Sequence, residues 1–305
     1  MIITSATLQT LSVGFRTQYL DAYQGGAPRV QSFSMRTTSR SKKEFYGWLG
    51  TVPGMKKFLG EAQIKNLVDH NFGIENVEFE STVGVQRIDI LRDQFGMYNM
   101  AFPAMGLAAR QHPDELLADA MVGGFTTLCY TGKNFFDTGH TPQAGKTTFD
   151  NKGVKKLSAA NFVIARTNLK SRRNAENRPM NLGADLVLVV APKWEDTARL
   201  ILIADTVPST AGTASQSNIN KGTARLEVWP QLSSNEDAWY LLENGYPVKP
   251  FIYQVEIDTE FQQLTDLSAE HVLLFKQFLY QAYGSYAVAA AMPELAYGST
   301  GADPA

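Results

Sequence analysis

The chain has 305 residues, with 28 Lys and Arg against 30 Asp and Glu. The formal net charge is −2, so it lacks the basic excess with which a dedicated nucleic-acid binder neutralises phosphates. Charged residues make up 19% and hydrophobic residues 44%, enough for one large or two moderate cores. One cysteine, Cys129, excludes an internal disulfide. No run approaches the roughly 18 apolar residues of a membrane span, and MIITSATLQTL has no basic stretch ahead of its apolar residues. A reducing, cytoplasmic setting is therefore the expectation.

In chain order, Leu8, Leu11, Phe15 and Tyr19 give an amphipathic helix over Ser5–Tyr19. The stretch from Gln24 to Pro28 breaks it, so it reads as a terminal arm outside the core. Val30, Phe33 and Met35 give a weak strand signal within 29–43. Then Phe45, Tyr46, Trp48, Leu49, Val52, Met55, Phe58 and Leu59 crowd onto a backbone interrupted by Gly47, Gly50, Pro53, Gly54 and Gly60. So many large apolar groups on so broken a backbone need a cover. A hairpin extended from the body and packed on another subunit supplies one, and a hairpin lying on its own core is the plainer alternative.

Asn76–Glu80 alternates with the period of a strand, and Val83, Val85 and Ile88 follow. The longest helical signal begins at Met97. Met97, Met100, Ala101, Ala104, Leu107 and Ala108, then Leu116, Leu117, Ala120 and Met121, form a stripe on a kinked helix of roughly 25 residues. Pro113 is placed to start or restart that helix, Asp114 and Glu115 suit a first turn, and Gly123-Gly124 stop it. The polar, turn-rich stretch 137–160 is the best domain boundary.

A helix is expected over 159–170, a buried strand over Leu182–Pro192 and a helix over Lys193–Ala204, together an α/β unit. Residues 206–223 are small and polar and read as a flexible loop. Strands are expected over 224–230, 238–243, 249–258 and 271–284, with a fraying tail after Gly298.

Catalytic signals are weak. Ala144-Gly145-Lys146-Thr147 suggests a phosphate loop, but position 140 is His140 where a glycine is needed, and both flanks are turn-like. His70, His112, His140 and His271 lack metal spacing, and His140 reads as a loop histidine in solvent or at a subunit contact. Lys155-Lys156 and Arg172-Arg173 read as solvated faces, and Cys129 as a small buried hydrophobe. No catalytic, metal or cofactor-binding residues are assigned, and the chain is not expected to be an enzyme.

Several motifs lie in order along most of the chain. They are Tyr46-Gly47-Trp48-Leu49-Gly50, Phe79–Val85, Gln111–Leu116, and Gly124-Phe125 followed by Cys129–Asp137 and His140. Ala238–Leu242, Val248–Gln254 and Leu295–Ser299 continue them. On these residues the sequence resembles the major head subunit of Mu-like phages, the gpT family of major capsid proteins. Coverage is thinnest over 155–235, where the strand–helix reading stands alone.

The resemblance implies an α+β chain with the tailed-phage major capsid fold. Residues 1–30 would be the N-terminal arm and 31–80 the extended hairpin loop. Residues 81–154 would form the peripheral domain with its spine helix, 155–248 the axial domain, and 249–305 the return strands and tail. Phe45, Tyr46, Trp48, Leu49, Met55, Phe58 and Leu59 become candidates for inter-subunit contact.

The implied function is a capsid protein that self-assembles into pentamers and hexamers of an icosahedral bacteriophage head. The shell would enclose double-stranded DNA without sequence-specific binding. Implied partners are other copies of the chain, a separate scaffold protein, a head protease, a portal and a decoration protein, with no membrane. The setting is the virion, after assembly in the host cytoplasm. A separate scaffold is expected because little chain precedes residue 30. No cross-link is expected of Lys42, Lys43, Lys56 or Lys57. The alternatives are an encapsulin-like compartment shell and, resting on Lys146, a nucleotide-binding α/β enzyme.

Overall fold

The Thr4 hydroxyl accepts the Thr7 N–H at 3.2 Å, and the Thr7 hydroxyl accepts the Thr4 N–H at 2.9 Å. Two donors that a helix start leaves unpaired are thereby satisfied, and helix α1 (Ser5–Gln24) follows. The computed structural model describes residues 3–47, 72–92, 94–141, 148–174, 177–208 and 215–303. Next come α2 (Val30–Phe33), β1 (Ser34–Thr38), β2 (Lys43–Phe45), β3 (Gly73–Glu75), β4 (Val77–Gln86) and α3 (Arg87–Leu91). A 3-10 turn, Phe95–Met100, feeds the long helix α4 (Ala101–Gly123). Then follow β5 (Lys152–Gly153), α5 (Ala159–Lys170), β6 (Leu186–Val190), α6 (Glu195–Leu202), β7 (Thr206–Pro208) and β8 (Ser215–Ser217). The chain closes with β9 (Arg225–Val228), β10 (Trp239–Glu243), β11 (Phe251–Leu264), α7 (Glu270–Phe275), β12 (Gln277–Ala290) and β13 (Ala296–Ser299).

Two sheets carry the architecture. The first has the order β1-β11-β12-β4, with β1 parallel to β11 and the other pairs antiparallel. The second has the order β5-β13-β10-β6-β9. Every residue of β6 and β10 is buried, because their alternating side chains serve two cores. Val187, Val189, Tyr240 and Leu242 face one core, while Leu186, Leu188, Trp239 and Leu241 face another with α5 and α6.

Helix α4 joins the two bodies. Its first half packs Phe102 and Met105 with α1 and the first sheet. Its second half packs Leu117, Ala118 and Met121 between the two sheets. The stretch read as 249–305 therefore divides, with β11 and β12 in the first sheet and β13 in the second.

Several expectations change. Helix α1 is no arm outside the core, because Leu8, Phe15 and Tyr19 are buried against α4 and β12. Its stripe was legible, but not what would cover it. In the first half of α4 the expected stripe is the outer one. Met97 and Met100 are 68% and 81% exposed, whereas Phe102, Met105 and Gly106 face inward. Pro113 lies inside the helix and forfeits one main-chain bond without ending it. Asp114 is buried in mid-helix, where its Oδ1 accepts the Val30 N–H at 2.7 Å, and burial pushes its carboxyl above the usual range.

The 271–284 stretch is a helix ended by Lys276 at φ 55°, then a strand, since a short apolar run has no decisive period. Residues 206–217 include a paired hairpin, β7 with β8. Asn218 beyond it donates to the Leu200, Ile201 and Ala204 carbonyls at the end of α6. The tail is held as far as residue 303. The Thr300 N–H donates to the Gly153 carbonyl, and Gly301 at φ 68° packs so closely on the Asp237 carbonyl that a side chain would not fit.

Candidate functional site

The polar stretch 137–160, expected as a boundary, sends the side chains of His140, Asn151 and Leu157 into the interior. His140 and Asn151 are fully buried, and Arg172 is 3% exposed, so neither His140 nor Arg172 is the solvated residue its context suggested. Asn151 Oδ1 accepts the Asp137 N–H at 2.8 Å and His140 Nε2–H at 3.1 Å. That acceptor fixes the proton on Nε2, so Nδ1 accepts from Thr131 Oγ1 at 2.9 Å. Asn151 Nδ2 donates to the Phe135 and Pro293 carbonyls. Arg172 donates to the Pro293, Glu294 and Asp150 carbonyls and to Asn168 Oδ1. The Tyr130 hydroxyl donates to Glu294 Oε1.

Burial sets the charges in this cluster. It lowers His140 to about 4 and Arg172 to about 10, and it raises Glu294. Most of the donors are spent on main-chain carbonyls from distant segments, which makes the cluster a clasp between them. Cys129 is buried as expected, and burial pushes its thiol up, away from the nucleophilic form. Among the described residues no group of His, Cys, Asp and Glu could hold a metal ion. Lys146 lies outside the described residues.

The proposed contact residues fall into two groups. Trp48, Leu49, Met55, Phe58 and Leu59 lie outside the described residues. Phe45 and Tyr46 stand at the base of the hairpin, where β2 pairs antiparallel with β3 and the Tyr46 N–H donates to the Phe72 carbonyl at 2.9 Å. Phe45 is 57% exposed, with Lys43 Nζ 5.2 Å from its ring centre. Tyr46 is buried in the chain's own fold among Ile74, Ile252 and Leu295. Its hydroxyl donates to Gln254 Oε1 at 2.7 Å and lies 2.9 Å from Thr37 Oγ1. Its cover therefore comes from its own sheet.

Gln254 Nε2 donates to Asn76 Oδ1 and the Ile74 carbonyl, and Asn76 Nδ2 donates to Ser39 Oγ and the Ser41 carbonyl. A Cβ at Gly73 would lie 2.5 Å from Lys43 Cε, the flexible end of an exposed side chain. The hairpin base is thus fastened to one face of the first sheet. A groove of about 430 Å³ opens beside it, lined by Phe72, Ile74, Val77, Phe79, Leu116 and Leu128 among others. The sequence reading missed the other half of that sheet face, which carries exposed glutamates. The signal was present as the alternation of Glu78 and Glu80 in β4.

A family model described as Mu-like prophage major head subunit gpT matches residues 8–154 and 231–302. The major capsid protein of Escherichia phage Mu is 35% identical over 140 residues, 46% of each chain. The Mu-like prophage FluMu major head subunit of Haemophilus influenzae is 28% identical over 166 residues, 54% of each chain. The chain spans about half the length of these curated relatives. Among solved structures, a chain of the procapsid of bacteriophage JBD30 matches with a TM-score of 0.60 at 25% identity, over 97% of this chain and 76% of that one.

Proposed function

The chain belongs to the family of Mu-like prophage major head subunits, and from that premise we propose that it builds the icosahedral head of a bacteriophage. The relatives named above are head and capsid subunits, structural proteins and not enzymes. Copies associate into pentamers and hexamers through head-to-tail contacts that close into rings. The closed shell encloses double-stranded DNA without reading its sequence. Residues 31–80 act as the extended hairpin, and the first sheet, with α1 and the first half of α4 packed on it, acts as the peripheral body. Residues 155–248 act as the axial body. A scaffold protein, a head protease, a portal and a decoration protein are its partners, and assembly precedes release of the virion from the host cytoplasm.

The observation that carries this reading is the family match over both 8–154 and 231–302, which takes in the hairpin base, every strand of the first sheet and β5, β10 and β13 of the second. The hairpin base supports it. Its two strands are joined at Tyr46 and Phe72, and the sequence between those residues carries Trp48, Leu49, Met55, Phe58 and Leu59. Interlocking segments of this kind bury areas in the range of permanent complexes, above roughly 2,000 Å² per pair. Electron microscopy of the expressed chain, with and without a scaffold protein, tests the proposal. Closed megadalton particles are expected. A chain that stays a small monomer or oligomer under both conditions overturns it.

A further inference from the structure

Helix α1 ends at Gln24, and the chain turns through residues 25–29 before α2 begins at Val30. That turn, the middle of α4 and the β1 edge of the first sheet line a cleft of about 660 Å³. Sites for small molecules typically measure roughly 300–1,000 Å³.

Three elements each supply a hydrogen-bond donor to the cleft. From α4 comes Arg110, whose guanidinium lies over the turn. A Cβ on Gly25 would stand 3.0 Å from its Nη1, and one on Gly26 3.5 Å. Among the described residues Arg110 has no hydrogen bond and no ion pair. Its charge reaches Asp114, but that carboxylate already takes the Val30 N–H. From β1 comes Arg36, directly opposite Tyr253 of β11 in the ladder. Arg36 holds both oxygens of Asp258 through Nη2 alone, at 2.5 and 2.7 Å. A guanidinium has donors on all three nitrogens, so Nη1 and Nε are left without an acceptor among the described residues. From β11 comes the Tyr253 hydroxyl. Tyr253 is only 7% exposed, yet its hydroxyl has no partner among the described residues. Burial raises its pKa, so the hydroxyl keeps its proton and remains a donor.

A hydroxyl buried this deeply is normally paired, and these three groups ask for an acceptor. Arg36 and Arg110 against Asp258 leave the lining with one excess positive charge. The acceptor is therefore an anion. A carboxylate is planar and offers two oxygens. A phosphomonoester offers three in a tetrahedral array, which suits donors arriving from a helix and two strands, and arginine pairs with it in bidentate fashion. A phosphodiester of a nucleic-acid backbone has only two free oxygens and is the poorer match. The remaining wall includes Pro28, Pro113 and Tyr23, whose ring is stacked on Tyr19 at 5.8 Å. That wall suits an organic group carrying the phosphate.

We propose that this cleft binds a small phosphomonoester, its phosphate held by Arg110, Arg36 and the Tyr253 hydroxyl and its organic part against Tyr23 and Pro113. The site lies within one copy, so the inference stands apart from the shell reading. An occupant ties the end of α1, the middle of α4 and the edge of the first sheet together. Binding then favours the folded chain by mass action.

Calorimetric titration of the full chain with phenyl phosphate and with inorganic phosphate, at fixed ionic strength, tests the site. Saturable binding is expected for both probes, tighter for phenyl phosphate, and each raises the melting temperature. Arg110→Met is expected to weaken binding about tenfold or more, as loss of a hydrogen bond to a charged group does. Tyr253→Phe keeps the buried ring and removes only the hydroxyl. It is expected to weaken binding several-fold, and it carries the test if Arg110→Met fails to fold. Arg16→Met, an equal change of charge at an exposed position of α1, is expected to leave the affinity unchanged. Absence of saturable binding for both probes overturns the inference, and so does unaltered affinity in the two cleft variants. Benzoate binding as tightly as phenyl phosphate overturns the choice of phosphate. Displacement of phenyl phosphate by a short oligodeoxynucleotide at equal phosphate concentration overturns the small-molecule reading and makes the cleft a backbone contact. None of these outcomes bears on particle formation, which tests the shell reading separately.

Discussion

Asn151 satisfies four polar partners at once, two through Oδ1 and two through Nδ2, in a site with no access to water. Replacing it with alanine leaves the Asp137 N–H, the His140 ring and two carbonyls without it. An unsatisfied buried group costs about 1–3 kcal/mol, so Asn151→Ala is expected to destabilise the subunit by about 2–4 kcal/mol in urea unfolding. His140 adds a pH dependence. Its folded pKa is pulled by burial to about 4, below the unfolded value near 6.5. As pH falls below about 6.5 the unfolded chain takes up a proton that the folded chain refuses. This part of the stability is therefore complete above about 6.5 and is lost progressively down to about 4. A melting temperature that falls between pH 7 and pH 5, with a shallower fall in His140→Gln, is the expected result. None of this cluster was legible locally. Residues 137–160 have the composition of a linker, and the cluster that encloses His140 and Asn151 is completed by Arg172, Pro293 and Glu294, which arrive from farther along the chain.

At the level of elements, the crossing of α1 over α4 depends on one missing side chain. A Cβ on Gly106 would lie 2.4 Å from the Tyr19 carbonyl oxygen, which is backbone and cannot swing aside. Alanine is about 1 kcal/mol better than glycine inside a helix, yet Gly106→Ala must force the helices apart. The expected net effect is a loss of about 1–3 kcal/mol. Gly14 in α1 has nothing within 4 Å of its would-be Cβ, so Gly14→Ala is expected to stabilise by about 0.5–1 kcal/mol. Opposite signs for the same chemical change, read by thermal melting, check the crossing. The existence of α4, its end at Gly123 and the buried β6 were readable because long periods and continuous apolar runs are local properties. The face that α4 buries was misread in its first half because alanines and methionines there offer two adjacent stripes. Packing against α1, through Gly106, chooses between them. The start of α7 was hidden because HVLLF has no period of its own and is followed directly by a strand.

For the whole molecule, the fold and the shell make different demands on the hairpin. The bonds that hold its base come from residues 37–46 and 72–76 with Gln254. The fold was legible through motifs spread over most of the chain. What stayed hidden was the pairing of β4 with β12, which joins residues roughly 200 positions apart. The separation of demands can be tested by cutting between them. Residues 47–71 are replaced by Asn-Gly, which suits a two-residue turn between the hydrogen-bonded pair Tyr46 and Phe72. Shortening the connection from 25 residues to two lowers the loop-closure entropy by an amount worth about 2 kcal/mol, so the shortened subunit is expected to melt no lower than the full one. It is also expected to form no closed particles, because the segment proposed to join neighbours is gone. A shortened chain that unfolds would place the hairpin inside the subunit's own core. One that folds and still assembles would remove the hairpin from the contact between copies.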